Sequence, residues 1–135
     1  MTLVDTNVLL DLVTDDPAWA EWSIAQLEAA SLRGPLIIND VGYAELSVRY
    51  DRIEDIETLL REAGITVEPI PRAGLFLAGK AFARYRKAGG RRTGVLPGFF
   101  IGAHAAVAGL PLLTRDVGRY RTYFPTLTLI APDRT

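Results

Sequence analysis

An α/β domain with a central parallel sheet of about five strands, flanked by helices, is the fold class this sequence predicts. Short apolar runs rich in β-branched residues alternate with longer stretches of helical pattern. That alternation is how a chain reads when helices cross over between parallel strands. Two of the apolar runs, in "LVDTN" and "LLTRD", close on an aspartate. Open parallel sheets bind ligands beyond the carboxyl ends of their strands, so polar residues there carry information. With 135 residues, the chain suffices for one core and is read as one domain over 1–135.

The elements follow in order. "TLVD" (2–5) is the first strand, and a helix covers 6–13. Pro17 fits the first position of a helix over 17–32, with Asp16 as its cap. "PLIIN" (35–39) is the second strand, followed by helical stretches at 39–50 and 52–63. Gly64, after "LLREA", fits a helix C-terminus. "ITVEPI" (65–70) is the third strand, and a helix spans 72–88. "AGGRRTG" is a loop before a small-residue helix over 97–108. "LPLLTRD" (110–116) and "LTLI" (127–130) complete the strands. No repeat, low-complexity tract or linker divides the chain.

Hydrophobic residues make up 49% and charged residues 23%, proportions of a folded chain and not of a disordered one. Without cysteine, disulfides and thiolate metal sites are excluded. No apolar run reaches membrane-spanning length, and the acidic start lacks the basic region of a signal peptide. The expectation is a cytoplasmic protein with no membrane partner.

The net charge of −1 conceals a separation. Residues 1–71 hold 14 acids and 4 bases, whereas residues 72–135 hold 2 acids and 11 bases. The densest block, "KAFARYRKAGGRR", carries Lys80, Arg84, Arg86, Lys87, Arg91 and Arg92, with Phe82 and Tyr85 interleaved. A phosphate backbone suits such a surface. A solvated helix face followed by a basic loop is the alternative.

Asp5 and Asp116 both follow apolar runs and should stand on one edge of the sheet, although either could simply cap a helix. Glu45 lies in the row Val41, Ala44, Glu45, Val48, which is expected to face the sheet. A glutamate there is either buried at a cost or placed at the rim of a cleft. Gly98, Ile101, Gly102 and Ala105 form a row of mostly small residues, expected to allow close contact with the sheet. Position 98 heads that row and points toward the strand ends of Asp5 and Asp116. A cluster of carboxylates there suits a hard divalent cation, Mg²⁺ or Mn²⁺, which activates water and stabilises charge on a phosphate. Phosphodiester hydrolysis is the leading chemistry.

"LVDTNVLLDL", "YAEL", "LPGFFIGAHA" and "LLTRD…Y" together resemble the PIN-domain ribonucleases, and among them the VapC toxins of type II toxin–antitoxin systems. The resemblance covers essentially the whole chain. It implies a three-layer domain with strand order 3-2-1-4-5, Mg²⁺- or Mn²⁺-dependent endonucleolytic cleavage of RNA, a homodimer, and inhibition by a small VapB-type antitoxin offering a basic residue to the acidic pocket. By position, Asp5 is the first metal-binding acid, Glu45 the second and Asp116 the fourth, with Thr114 beside it. Asn7 supports the Asp5 loop, and Arg84, Lys87, Arg91 and Arg92 are candidates for contact with RNA. The third acid, an aspartate just after Leu-Pro, is replaced by Gly98. Glycine has no side chain to ligate a metal, so nuclease activity is expected to be low or absent while fold and antitoxin binding are kept.

His104, the only histidine, reads as structural in its alanine-rich helix. Trp19 and Trp22 share a helix face and suit either core or an interaction surface. Asp11, Asp15 and Asp16 read as a solvated helix end. Three other functions compete. A non-catalytic PIN-like module would sequester antitoxin or RNA, as Gly98 suggests. An aspartyl-nucleophile phosphatase would use Asp5 but wants a second acid where Asn7 stands. A receiver domain lacks its paired acids and its lysine here.

Overall fold

The computed structural model describes residues 1–92 and 94–132. Five strands, β1 (Thr2–Val4), β2 (Leu36–Asn39), β3 (Ile65–Glu68), β4 (Leu112–Leu113) and β5 (Leu129–Ile130), form one sheet in the order β3-β2-β1-β4-β5. Every neighbouring pair is parallel. The class and the order expected from the sequence are both found.

Seven helices connect the strands among the described residues: α1 (Thr6–Val13), α2 (Ala20–Ser31), α3 (Asp40–Ser47), α4 (Ile53–Ala63), α5 (Arg72–Lys87), α6 (Leu96–Ala108) and α7 (Val117–Tyr123). Because side chains alternate along a strand, the sheet feeds two separate cores. Leu3, Ile37 and Leu112 pack with residues of α5, α6 and α7. Val4, Leu36, Ile38 and Leu113 pack with residues of α1, α2, α3 and α4. The result is three layers, and burial on both faces explains why the central strands read as unbroken apolar runs.

Several boundaries differ from expectation. Asp16 does accept backbone bonds, from Ala18 at 2.8 Å and Trp19 at 3.0 Å, but these hold a turn and α2 begins only at Ala20. The 110–116 run contributes just two strand residues, since pairing stops at Leu113. Gly64 ends α4 as read, with φ of 69°, a left-handed conformation that favours glycine.

Helix α7 has no counterpart in the sequence reading. Its signal is the row Val117, Tyr120, Phe124 following Asp116, whose side chain caps the helix by accepting from the Arg119 amide at 3.3 Å. This helix also corrects the reading of the small-residue row in α6. Gly98, Ile101, Gly102 and Ala105 are all buried, but the space beside the two glycines is filled from α7 and its end. A Cβ on Gly102 would stand 2.7 Å from the Phe124 ring and 3.0 Å from that of Tyr120.

The row through Glu45 is likewise corrected. Val48 is 85% exposed and Ala44 is exposed, while Gly42 and Leu46 are the buried residues of α3. Leu46 enters the core with Val8, Ile38 and Ile56, so it, and not the Val41–Val48 row, sets the inward face.

Candidate functional site

Asp5 follows β1 directly, and Val4 pairs with Leu113 of β4, so Asp5 and the Thr114–Asp116 turn emerge side by side. Asp5 is 3% exposed. Its Oδ2 accepts hydrogen bonds from Thr114 Oγ1 at 2.8 Å and Tyr120 OH at 2.7 Å. Burial raises the Asp5 pKa above the ordinary carboxylate value, although those two hydroxyls and the charge of Arg119 pull the other way. Tyr120, buried against this carboxylate, has its own pKa raised well above the usual tyrosine value, first by desolvation and then by Asp5. It stays a hydrogen-bond donor.

Thr114 is the hub of the turn. Its hydroxyl donates to Asp5 and accepts from the Asp116 amide at 3.0 Å and from Asn7 Nδ2 at 3.4 Å. Asn7 thus touches the Asp5 loop through Thr114, and its Oδ1 is buried with no hydrogen-bond partner among the described residues. Glu45 reaches the same edge from α3, where its Oε1 accepts from Thr6 Oγ1 at 2.8 Å. Its pKa is raised by burial and by the nearby charge of Asp5, against the Thr6 bond and Arg119.

Asp116 lies at the mouth of the site, its side chain 38% exposed, and Arg119 pairs with it, Nε to Oδ2, at 3.2 Å. Arg119 is a functional candidate that sequence reasoning missed. Burial opposes its charge, yet Tyr120, Asp116 and Asp5 together raise its pKa above the ordinary arginine value. A Cβ at Gly98 would stand 2.6 Å from Arg119 Cδ, 3.0 Å from Nη1 and 3.2 Å from Nε. The direction that position 98 offers is therefore taken up by the arginine. A basic residue three positions after an aspartate, one turn into a helix, was the available signal.

A hard divalent ion wants several oxygens at close to octahedral geometry. Among the described residues no group of three or more acids or histidines stands close enough to hold one. Gly98 supplies no oxygen, Asp5 Oδ2 is engaged by two hydroxyls, and Asp116 faces the guanidinium. As arranged, the residues do not fit such an ion.

Beside the acids lies a cavity of about 220 Å³, lined by Tyr85, Arg92, Phe99, Asp116, Arg119 and Tyr123 among others. Aromatic contacts build its wall, with Phe99 and Tyr123 edge to face at 5.1 Å. Tyr85 OH accepts from the Arg92 amide at 3.0 Å, which draws the basic loop to the cavity. Arg84 is exposed, but its guanidinium lies 5.9 Å from the Tyr123 ring centroid and donates to the Tyr123 carbonyl at 3.3 Å. Lys87, Arg91 and Arg92 are exposed. The loop expected over "AGGRRTG" also includes residue 93, which lies outside the described residues.

His104 is 3% exposed, and its Nδ1 lies 3.1 Å from Asn39 Nδ2. Asn39 Oδ1 accepts from the Gly42 amide at 3.0 Å, so its amide nitrogen faces the ring and Nδ1 is the acceptor. Asp11 contradicts the reading of a solvated helix end. It is 1% exposed, receives Ser23 Oγ at 2.8 Å, and forms a two-point pair with Arg115. Trp19 and Trp22 are half-buried and meet edge to face at 5.9 Å, with Arg115 5.3 Å from the Trp19 ring centroid. No helix is long and apolar enough to cross a membrane among the described residues.

A family model described as the PIN domain matches residues 2–125. The fold is similar to that of a chain in VapBC2 from Rickettsia felis bound to a DNA fragment from its promoter. That match has 16% identity and a TM-score of 0.74 over 98% of each chain. VapBC-1 from nontypeable Haemophilus influenzae gives 19% and 0.69 over 96% of each chain. A toxin–antitoxin complex from Klebsiella pneumoniae gives 20% and 0.64 over the whole of both chains. No curated protein matches the chain.

Proposed function

Because the chain belongs to the PIN domain family, we propose that it is the toxin component of a type II toxin–antitoxin system, directed at RNA and impaired in cleavage. The observation that carries this reading is Gly98. Asp5, Glu45 and Asp116 occupy one sheet edge, and the position that should complete an acidic set has no side chain. In a complete set Mg²⁺ or Mn²⁺ would activate water and offset charge developing on the scissile phosphate. Support for a toxin assignment comes from the fold, shared along nearly the full chain with components of VapBC complexes. One similar chain comes from a toxin–antitoxin complex, and we extend an antitoxin partner to this chain and assign it a homodimeric assembly. The basic residues Arg84, Lys87, Arg91 and Arg92 lie beside the acidic edge or on the helix and loop leading to it, an arrangement suited to an RNA backbone.

A second reading has its own observation. Arg119 stands within the acidic edge, which favours a non-catalytic PIN module that holds antitoxin or RNA without cutting. Mn²⁺-dependent cleavage of RNA by the unchanged chain, by Gly98→Asp and by Gly98→Asp combined with Arg119→Ala separates the two. A cleaving toxin scaffold gains activity when the acid returns, most strongly in the double variant. Equal activity in all three would remove position 98 from the catalytic account.

A further inference from the structure

We infer that Arg119 is the resident cation of the acidic pocket, standing in place of a divalent ion, and that Gly98 is the opening that admits it. The inference deepens the proposed function and rests on the same pocket being the one an ion would use.

The steric argument comes first. With a Cβ at position 98 separated by 2.6 Å from Arg119 Cδ, a side chain there and the present arginine position exclude each other. Gly98 and Arg119 are thus sterically coupled: a side chain at position 98 would require the arginine to swing out of its present place. Nothing about glycine in the first turn of α6 is helpful in itself, since it lowers helix propensity and adds no cap.

The arginine is also held in position. Asp116 takes the Arg119 amide on Oδ1 at 3.3 Å and Nε on Oδ2 at 3.2 Å. The next residue, Tyr120, is fully buried and bonded to Asp5 at 2.7 Å. Residue 119 therefore brings a permanent positive charge to Asp116, and residue 120 a hydroxyl to Asp5 beside it. Asp5 and Glu45 both feel that charge. The acidic edge thus carries an internal counter-charge, held on Asp116.

The consequence concerns metal affinity, which is measured without RNA. A Mn²⁺ titration followed by the electron paramagnetic resonance of the free ion compares the full unchanged chain, Gly98→Asp, Arg119→Ala and the double variant. Thermal melts in EDTA and in Mn²⁺ accompany it. The unchanged chain should bind Mn²⁺ weakly and melt at the same temperature in both. Gly98→Asp alone should gain little, because the new carboxylate pairs with the displaced guanidinium. The double variant should bind at least about tenfold more tightly than the unchanged chain, as expected when a unit positive charge is exchanged for a ligand. Should Arg119→Ala fail to fold, Arg119→Gln keeps the length of the side chain and removes its charge.

Tight Mn²⁺ binding by the unchanged chain, equal to that of the double variant, overturns the inference. So does a double variant that folds and binds no better than the unchanged chain. A double variant that gains Mn²⁺ but cuts no RNA upholds the inference and sinks the nuclease reading. An unchanged chain that binds Mn²⁺ tightly but cuts no RNA does the reverse: it overturns the inference and leaves the impaired-toxin reading standing.

Discussion

Arg115 grips Asp11 at two points, Nε to Oδ2 at 2.8 Å and Nη2 to Oδ1 at 2.7 Å. The pair joins α1 to the turn after β4, across 104 positions of sequence, one residue from the Asp116 that pairs with Arg119. The Asp11 side chain is 2% exposed and that of Arg115 30%, so water does little to weaken the contact. Arg115→Met leaves a buried carboxylate with Ser23 as its one remaining side-chain donor. The expected cost is about 3–5 kcal/mol, read from urea unfolding at neutral pH. A loss below about 1 kcal/mol would show that the pair behaves as an exposed one.

The glycines of the helices divide by what surrounds them. Gly102→Ala forces a methyl against the Phe124 and Tyr120 rings and should destabilise by about 1–3 kcal/mol. Gly79 sits exposed within α5 with nothing near its missing Cβ. Gly79→Ala should stabilise by about 0.5–1 kcal/mol, the ordinary difference in helix propensity. Chemical denaturation of both variants tests the packing assigned to α7, and equal effects would refute it.

His104 makes stability fall on acidification. Burial lowers its pKa from the ordinary 6.5, although Glu68 and Asp40 work against that shift. The folded chain then holds fewer protons on His104 than the unfolded chain, so stability present above pH 6.5 is lost as pH falls below it. Asp5 and Glu45, with pKa values raised by burial, act in the opposite sense and gain stability as pH falls toward the ordinary carboxylate range. The difference between the unchanged chain and His104→Gln isolates the histidine. That difference should shrink between about pH 7.5 and pH 5, and a constant gap would mean that His104 does not titrate with folding.

If the basic segment holds RNA by its phosphates, binding weakens with salt in proportion to the contacts made. Lys87→Ala and Arg91→Ala together should reduce the slope of log affinity against log salt by about 1.4, or about 0.7 for each contact to a single strand. Fluorescence anisotropy with a short oligoribonucleotide reads this directly. Arg84 is a poorer probe, since its contacts with Tyr123 mix packing with charge. An unchanged slope in the Lys87/Arg91 double variant would assign those residues to a solvated surface.

Much of the fold was legible because the strands β1, β2 and β4 bury both faces. That made "LVDTN", "PLIIN" and "LLTRD" read as continuous apolar runs with their polar residues at the ends. Asp5 and Asp116 were placed on one edge by that logic, and the pairing of Val4 with Leu113 brings them together. Glu45 was assigned to the right edge through an incorrect face, because small apolar residues at Val41, Ala44 and Val48 mark a helix side without showing that anything covers it. Asp11 was misread for the converse reason. Its charge suggested solvent, and its partner stands 104 residues away.

Local pattern by itself determined the alternation of elements, the stop at Gly64, and the absence of a side chain at position 98. These depend on backbone geometry and on which atoms a residue carries, and both are written one residue at a time. Only the tertiary structure decided what fills the space beside Gly98. Arg119 comes from a seven-residue helix whose position is set by Tyr120 in the core and by Asp116 at its cap. Whether an arginine points into water or toward a carboxylate depends on what packs above it, and a sequence states charge without stating distance. Gly98 in the sequence is an absence; beside Arg119 in the folded chain it is a fitted contact.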